Sequence, residues 1–314
     1  MTALSFGGAQ IGNLYRETSD EEASAAVSAA WQAGIRYFDT APHYGLGLSE
    51  RRLGAALRAH PREEYVVSTK VGRVLDPALE DAPDSEGFAV RTRLRRRWDF
   101  SRDGVLRSLE DSLERLGLHR VEILFMHDPD EHWREAVEQA CPALEELRGQ
   151  GMVRAIGAGM NQAEMLAEFV RRTDIDVVML AGRYTLLEQG ALDELLPLCE
   201  ERGVGVVAVG VFNSGLLSRA QPQAGARYNY DEAPPELIGR ARRIADVCSR
   251  HGVSLPAAAL RFPLGHPAVV SVAVGMRDGA QARRNAELFE QAVPSDLWDE
   301  LKAERLLRAD APVP

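Results

Sequence analysis

Residues 176–209 read DVVMLAGRYTLLEQGALDELLPLCEERGVGVVAV. Two short apolar runs, VVMLA and GVVAV, flank a segment in which Leu192, Leu195, Leu196 and Cys199 recur at helical spacing. A strand with one face in water alternates apolar and polar residues. These runs do not alternate, which is how strands read when helices cover both faces of a parallel sheet. The stretch is a strand–helix–strand unit.

The same rhythm extends outward from this unit in both directions. Predicted strands occupy residues 3–8, 35–40, 65–71, 121–127, 153–159, 176–181, 203–209 and 269–274. Helices lie between them. Ser19 and Glu22 make a capping box before Ala23, Val27, Ala30 and Trp31, and Gly34 closes that helix. Leu106, Leu109, Leu113 and Leu116 stripe another, closed by Gly117. Pro142 is expected in the first turn of a helix running to about Arg148, and Pro197 is expected to kink its helix. Eight such units in 314 residues predict an α/β fold, one (β/α)8 barrel over residues 1–314. A doubly wound sheet calls instead for G-x-G-x-x-G after the first strand, and FGGAQIGN does not meet that spacing. Segments 72–100 and 210–234 break the rhythm and are expected to be long loops at the barrel mouth.

Composition removes several function classes. Lys plus Arg number 37 and Asp plus Glu 47, a net charge of −10, so the chain lacks the basic footprint that grips nucleic acid or an anionic membrane. Cys141, Cys199 and Cys248 are far apart and form no C-x-x-C, as expected of small buried hydrophobes in a cytoplasmic protein. The start MTALSFGG carries no basic, apolar leader, and no run approaches the ~20 apolar residues of a membrane span. No His-x-His stands near the first strand, so no metal site is expected, and no second carboxylate opposes Asp39 as a glycosidase would need.

Barrel chemistry collects at the C-terminal ends of the strands. There the chain places Asp39 and Tyr44 in DTAPHYG, Lys70 in VVSTKV and His127 in ILFMHDP. Singly, these residues read as a loop cap, a packing aromatic, a surface lysine and a core histidine. Together they read as a proton-transfer site. An ammonium stabilises a nearby phenolate and is expected to lower its pKa, and a carboxylate offsets the cost of burying that ammonium. Such a set suits proton transfer at a carbonyl or alcohol coupled to hydride transfer at carbon.

Three motifs, GIRYFDTAPHYGLGLSERRLG (34–54), VVSTKVG (66–72) and ILFMHDPD (123–130), resemble the aldo-keto reductases over nearly the whole chain. That resemblance implies a barrel, a nicotinamide cofactor, Tyr44 as acid/base, Asp39 and Lys70 tuning it, and His127 orienting the reacting oxygen. It also implies cofactor contacts from Asn161, Arg183, Phe212, Ser214, Gly215, Leu216, Gly275, Arg277, Gln281 and Asn285, with Val209 where an aromatic usually covers the nicotinamide. Asp278 and Gln281 stand where a 2′-phosphate would want serine and arginine, so NAD is expected over NADP, although Arg277 is a possible partner for that phosphate. FGGAQIGNLY, AGRYTLLEQ and GVFNSGLL resemble the branch containing L-fucose dehydrogenase, D-threo-aldose 1-dehydrogenase and pyridoxal 4-dehydrogenase. The implied reaction is oxidation of a sugar's anomeric hydroxyl to a lactone, by a monomer or small homo-oligomer. Pyridoxal oxidation, aldehyde reduction and a non-catalytic cofactor-binding subunit are the alternatives. Tyr15 and Trp98, with Asn13, Tyr228 and Tyr230, are candidates for the substrate pocket, and the Arg91–Arg97 cluster reads as a solvated face, as a tether for its loop or as an attractor of an anionic substrate.

Overall fold

Eight parallel strands close into a barrel in the computed structural model, which describes residues 1–223, 225–229 and 231–314. They are Leu4–Gly7, Tyr37–Asp39, Val66–Val71, Ile123–His127, Ala155–Met160, Val177–Ala181, Gly205–Val209 and Val269–Gly275. Each pairs with its neighbours in sequence, and the first closes on the eighth through Gly7 and Gly275. The architecture is the (β/α)8 barrel. Among the described residues, no helix is long and apolar enough to cross a membrane.

The period of two along each strand sorts the side chains. One parity fills the barrel interior, with Tyr37, Ile123, Phe125, Val177, Met179, Val207 and Ala273 in contact there. The other parity, including Phe38, Leu124, Val178, Val206 and Val272, packs outward into the layer shared with the helices. Because both parities are buried, runs such as Val177–Ala181 and Gly205–Val209 are continuously apolar.

Two expectations are corrected and one is extended. Pro142 stands in the first turn of Cys141–Gly149, as expected, and that helix continues from Trp133–Glu135 through a π-turn at Ala136–Ala140. The Cys141 N–H reaches back five residues to the Ala136 carbonyl, and this wider turn makes room for a proline in a helix interior. Pro197 does not kink its helix. It is the third residue of Leu195–Arg202, where a missing N–H costs nothing because first-turn N–H groups have no helical acceptor. Residues 72–100 are not an irregular loop but an antiparallel hairpin, Arg73–Pro83 against Arg91–Trp98. In RTRLRRRW, Thr92, Leu94 and Arg96 face the protein while Arg91, Arg93 and Arg95 face solvent, a strand pattern hidden by the run of arginines.

The hairpin roofs the barrel mouth. Arg96 pairs with buried Asp84 and donates to the His43 carbonyl at 3.0 Å, so this arginine tethers rather than solvates. The loop after the first strand joins it, with Leu14 bridging to Phe88 and the Tyr15 N–H donating to the Gly87 carbonyl at 2.8 Å. The described residues of segment 210–234 are mostly turns and bends, with a short pairing of Arg227–Tyr228 against Asp231–Glu232.

Candidate active site

Asp39, Lys70 and His127 are adjacent because of parity and register. Asp39 and His127 end the second and fourth strands, and Lys70 is the penultimate residue of the third. Asp39 stands beside Ser68 in the ladder, and Lys70 beside Phe125. All three share the parity of the interior residues, so they crown the filled barrel. Tyr44 arrives from the turn that follows the second strand. Ser49 fastens that turn, donating to the Gly8 carbonyl and bonding Thr40, each at 2.8 Å. Gly45 has φ +65°, and a Cβ there would lie 2.2 Å from the Gly12 carbonyl oxygen, so only glycine allows the two loops to touch.

Lys70 is 2% exposed and Asp39 3%. Lys70 Nζ donates to Asp39 Oδ1 at 2.9 Å, Asp39 Oδ2 at 2.8 Å, the Thr40 carbonyl at 3.0 Å and the Tyr44 hydroxyl at 3.0 Å. Ser68 donates to Asp39 Oδ1 at 2.7 Å. The buried ion pair is thus satisfied on both sides, the condition under which such a pair is tolerated.

Burial by itself would depress the Lys70 ammonium. The Asp39 carboxylate and the Tyr44 oxygen overcome it and hold the pKa at about 12. Tyr44 is also pushed up to about 12, because burial outweighs the pull of Lys70. The expected lowering of the phenol is therefore corrected: the ammonium limits the rise without reversing it. His127 is held far below the ordinary histidine range by burial and by the cations Lys70 and Arg73, so its imidazole is neutral. Its ring stands edge-on to Tyr44 with centroids 5.8 Å apart, and its Nδ1 is buried without a partner among the described residues.

Tyr44, Lys70 and His127 open into a cavity of about 830 Å³. Tyr15 and Trp98 line it, as do Arg73, Glu86, Phe88, Asp128 and Arg227, which sequence reasoning did not single out. The available signals were adjacency to His127 for Asp128 and to the third strand for Arg73. Tyr228 does not line it, because its hydroxyl bonds Glu188. Tyr230 lies outside the described residues. Asn13 is spent on structure, donating to the Ala89 carbonyl at 3.0 Å.

A second cavity of about 380 Å³ continues from the first through Asn161, Ala181 and Gly210, and is lined by Phe212, Ser214, Gly215 and Gly275. Leu216 lines a third, of about 290 Å³, joined to the second at Ser214 and Gly215. The three form one groove across the mouth. Gln10 Oε1 and Asn213 Oδ1, on residues of the second cavity, are buried without hydrogen-bond partners among the described residues. Such acceptors call for a ligand with donors, and a long groove with two of them fits a dinucleotide.

The remaining predicted contacts are placed differently. Arg277 is 7% exposed, and its guanidinium donates to the carbonyls of Leu14 at 2.6 Å and Arg16 at 3.0 Å and to Thr18 Oγ1 at 2.6 Å. It clamps the first loop. Arg183 does not itself line the groove but bonds Asn229, which lines the second cavity, at 3.0 Å. Gln281 accepts from the Arg277 N–H at 3.1 Å, and Asn285 is buried in the helix that follows. Among the described residues, no three His, Cys, Asp or Glu side chains stand together to hold a metal.

The family model described as "Aldo/keto reductase family" matches residues 3–304. The chain belongs to the aldo/keto reductase family. This reductase is 51% identical to the D-threo-aldose 1-dehydrogenase of a Pseudomonas species, over 97% of its own length and 94% of that protein. It is 40% identical to the pyridoxal 4-dehydrogenase of Microbacterium luteolum, over 98% and 95% of the two chains. Among solved structures it is similar to a holo aldo-keto reductase of Bacillus halodurans, with TM-score 0.74, 25% identity and coverage of 98% and 93%. Membership makes the protein a nicotinamide-dependent oxidoreductase of the barrel type.

Proposed function

We propose that this protein oxidises the anomeric hydroxyl of an aldose to a lactone, with NAD preferred to NADP. The observation that carries the reading is the buried Asp39–Lys70–Tyr44 chain opening into a large cavity lined by both charged and apolar side chains. The 51% identity to a D-threo-aldose 1-dehydrogenase supports the substrate class.

Asn161, Phe212, Ser214, Gly215, Leu216 and Gly275 would hold the dinucleotide along the groove, with Gln10 and Asn213 offering acceptors. A bound oxidised nicotinamide supplies the hydride acceptor. The protein's own residues handle the proton. The substrate C1–O–H proton passes to the Tyr44 oxygen as the C1–H bond breaks and C1=O forms. Lys70, 3.0 Å from that oxygen, stabilises the phenolate that must accept the proton. Asp39 keeps Lys70 charged, and neutral His127 offers a hydrogen bond to the substrate oxygen. In the reverse direction neutral Tyr44 donates the proton.

The eighth strand's loop supports the preference for NAD. Asp278 caps the helix Gly279–Glu290, accepting from the Gln281 N–H at 2.8 Å. Its carboxylate occupies the helix start, which would otherwise attract an anion, and repels a 2′-phosphate. Arg277 is spent on the first loop. The test is initial rates on aldoses of both configurational series, pyridoxal and simple aldehydes, each with NAD and NADP. Aldose oxidation with NAD is expected to dominate. Faster turnover of pyridoxal or of simple aldehydes would replace the sugar reading.

A further inference from the structure

One carboxylate beside the reacting centre takes no part in the proton chemistry and is held in a costly conformation. Asp128 follows His127 and has φ +45°, a left-handed conformation that aspartate adopts at a cost and keeps only when its surroundings hold it. Its N–H donates to the Gly159 carbonyl at 3.0 Å, and Arg73 donates to its Oδ2 at 2.6 Å. Its Oδ1 accepts no hydrogen bond from a described residue. The carboxylate is 36% exposed and lines the cavity that holds Tyr44.

Arg73 is itself fixed. It donates to Glu86 of the hairpin at 3.1 Å, and its guanidinium lies 4.2 Å from the centroid of the Trp98 ring. A carboxylate with one committed and one uncommitted oxygen therefore shares a cavity with the aromatic side chains of Phe88 and Trp98. Carboxylates accept strong hydrogen bonds from hydroxyls, while aromatic rings cover apolar C–H surface. A pyranose ring presents both. Burial raises the Asp128 carboxyl above the ordinary range despite Arg73, so its charge is under-solvated and gains from added donors.

We propose that Asp128, positioned by Arg73, accepts hydrogen bonds from ring hydroxyls remote from the anomeric carbon and thereby selects polyhydroxylated substrates. The proposal rests on the aldose reading above and names the residue that reads the sugar.

The experiment compares kcat/KM for the best aldose with that for 2-hydroxytetrahydropyran, a cyclic hemiacetal with the same reacting centre and no other hydroxyl. It is run on the wild-type protein, Asp128→Ala and Asp128→Asn, the last keeping the shape while removing the charge. The aldose-to-hemiacetal ratio is expected to fall about ten- to a hundredfold in Asp128→Ala and less in Asp128→Asn, the loss lying in KM for the aldose. A ratio unchanged in both variants, or a fall carried by kcat alone, overturns the proposal. If the wild-type protein oxidises the hemiacetal but no aldose, the sugar reading and this proposal both fail. That outcome is visible before any substitution is made.

Discussion

Tyr44 carries the chemistry through a single oxygen, and two opposing forces set its proton affinity. Burial favours the neutral phenol, and the ammonium 3.0 Å away favours the phenolate. With the pKa at about 12, the phenol is neutral near pH 7, poised to donate but not to accept. Oxidation needs the phenolate, whose fraction grows tenfold per pH unit below the pKa. The oxidative kcat/KM is therefore expected to climb steadily from pH 7 into the alkaline range, while reductive turnover stays level around neutrality. A pH–rate profile in both directions checks this, and an oxidation optimum at pH 6–7 would contradict it. Tyr44→Phe removes the proton carrier and leaves the ring. Turnover is expected to drop by about 10²- to 10⁴-fold, with NAD affinity by fluorescence titration nearly unchanged.

The hairpin Arg73–Pro83/Arg91–Trp98 is the element that turns an open barrel end into a cavity. Its attachment is concentrated in Arg96, which meets Asp84 and Glu86 on one side and the His43 carbonyl on the other. Removing one member of a buried pair costs about 3–5 kcal/mol. Arg96→Met is accordingly expected to loosen this element without unfolding the barrel, since the barrel's ladders do not pass through it. Amide exchange across residues 84–90 should accelerate and KM for substrate should rise. Amide protection in the barrel strands should stay as it was. Exchange that accelerates throughout the barrel instead would show that the hairpin is part of one cooperative unit.

For the whole molecule, the seam between the first and eighth strands is where fold and cofactor site coincide. Gly7 pairs with Gly275 there, and Arg277 reaches across to the carbonyls of the first loop. The groove that would take the dinucleotide draws on Gln10 from one side and Gly275 from the other. A ligand bound across this seam stabilises the folded protein, by about 2.7 kcal/mol at a hundred times its Kd. NAD is expected to raise the thermal midpoint more than NADP at equal concentration. Asp278→Ser keeps a helix cap but removes the negative charge, so it should narrow the gap between the two shifts. Equal shifts for both cofactors in the wild-type protein would refute the charge argument.

Local pattern made the barrel readable in advance. Continuous apolar runs spaced by helical stretches leave one economical arrangement, and strand parity then aims Asp39, Lys70 and His127 into the same mouth. Other features depended on long-range geometry. The hairpin escaped because an alternating strand of arginines looks like a charge run until Asp84 and the His43 carbonyl are seen behind Arg96. The clamp made by Arg277 was not legible because its acceptors, the carbonyls of Leu14 and Arg16, are remote in sequence. The direction of the Tyr44 shift depended on depth of burial, which composition does not encode. Asp128 was visible as a letter beside His127, but its left-handed backbone and uncommitted oxygen exist only in three dimensions. Periodicity is a property of neighbours along the chain. Desolvation and hydrogen-bond partnership belong to neighbours in space, and closure of the barrel decides who those are.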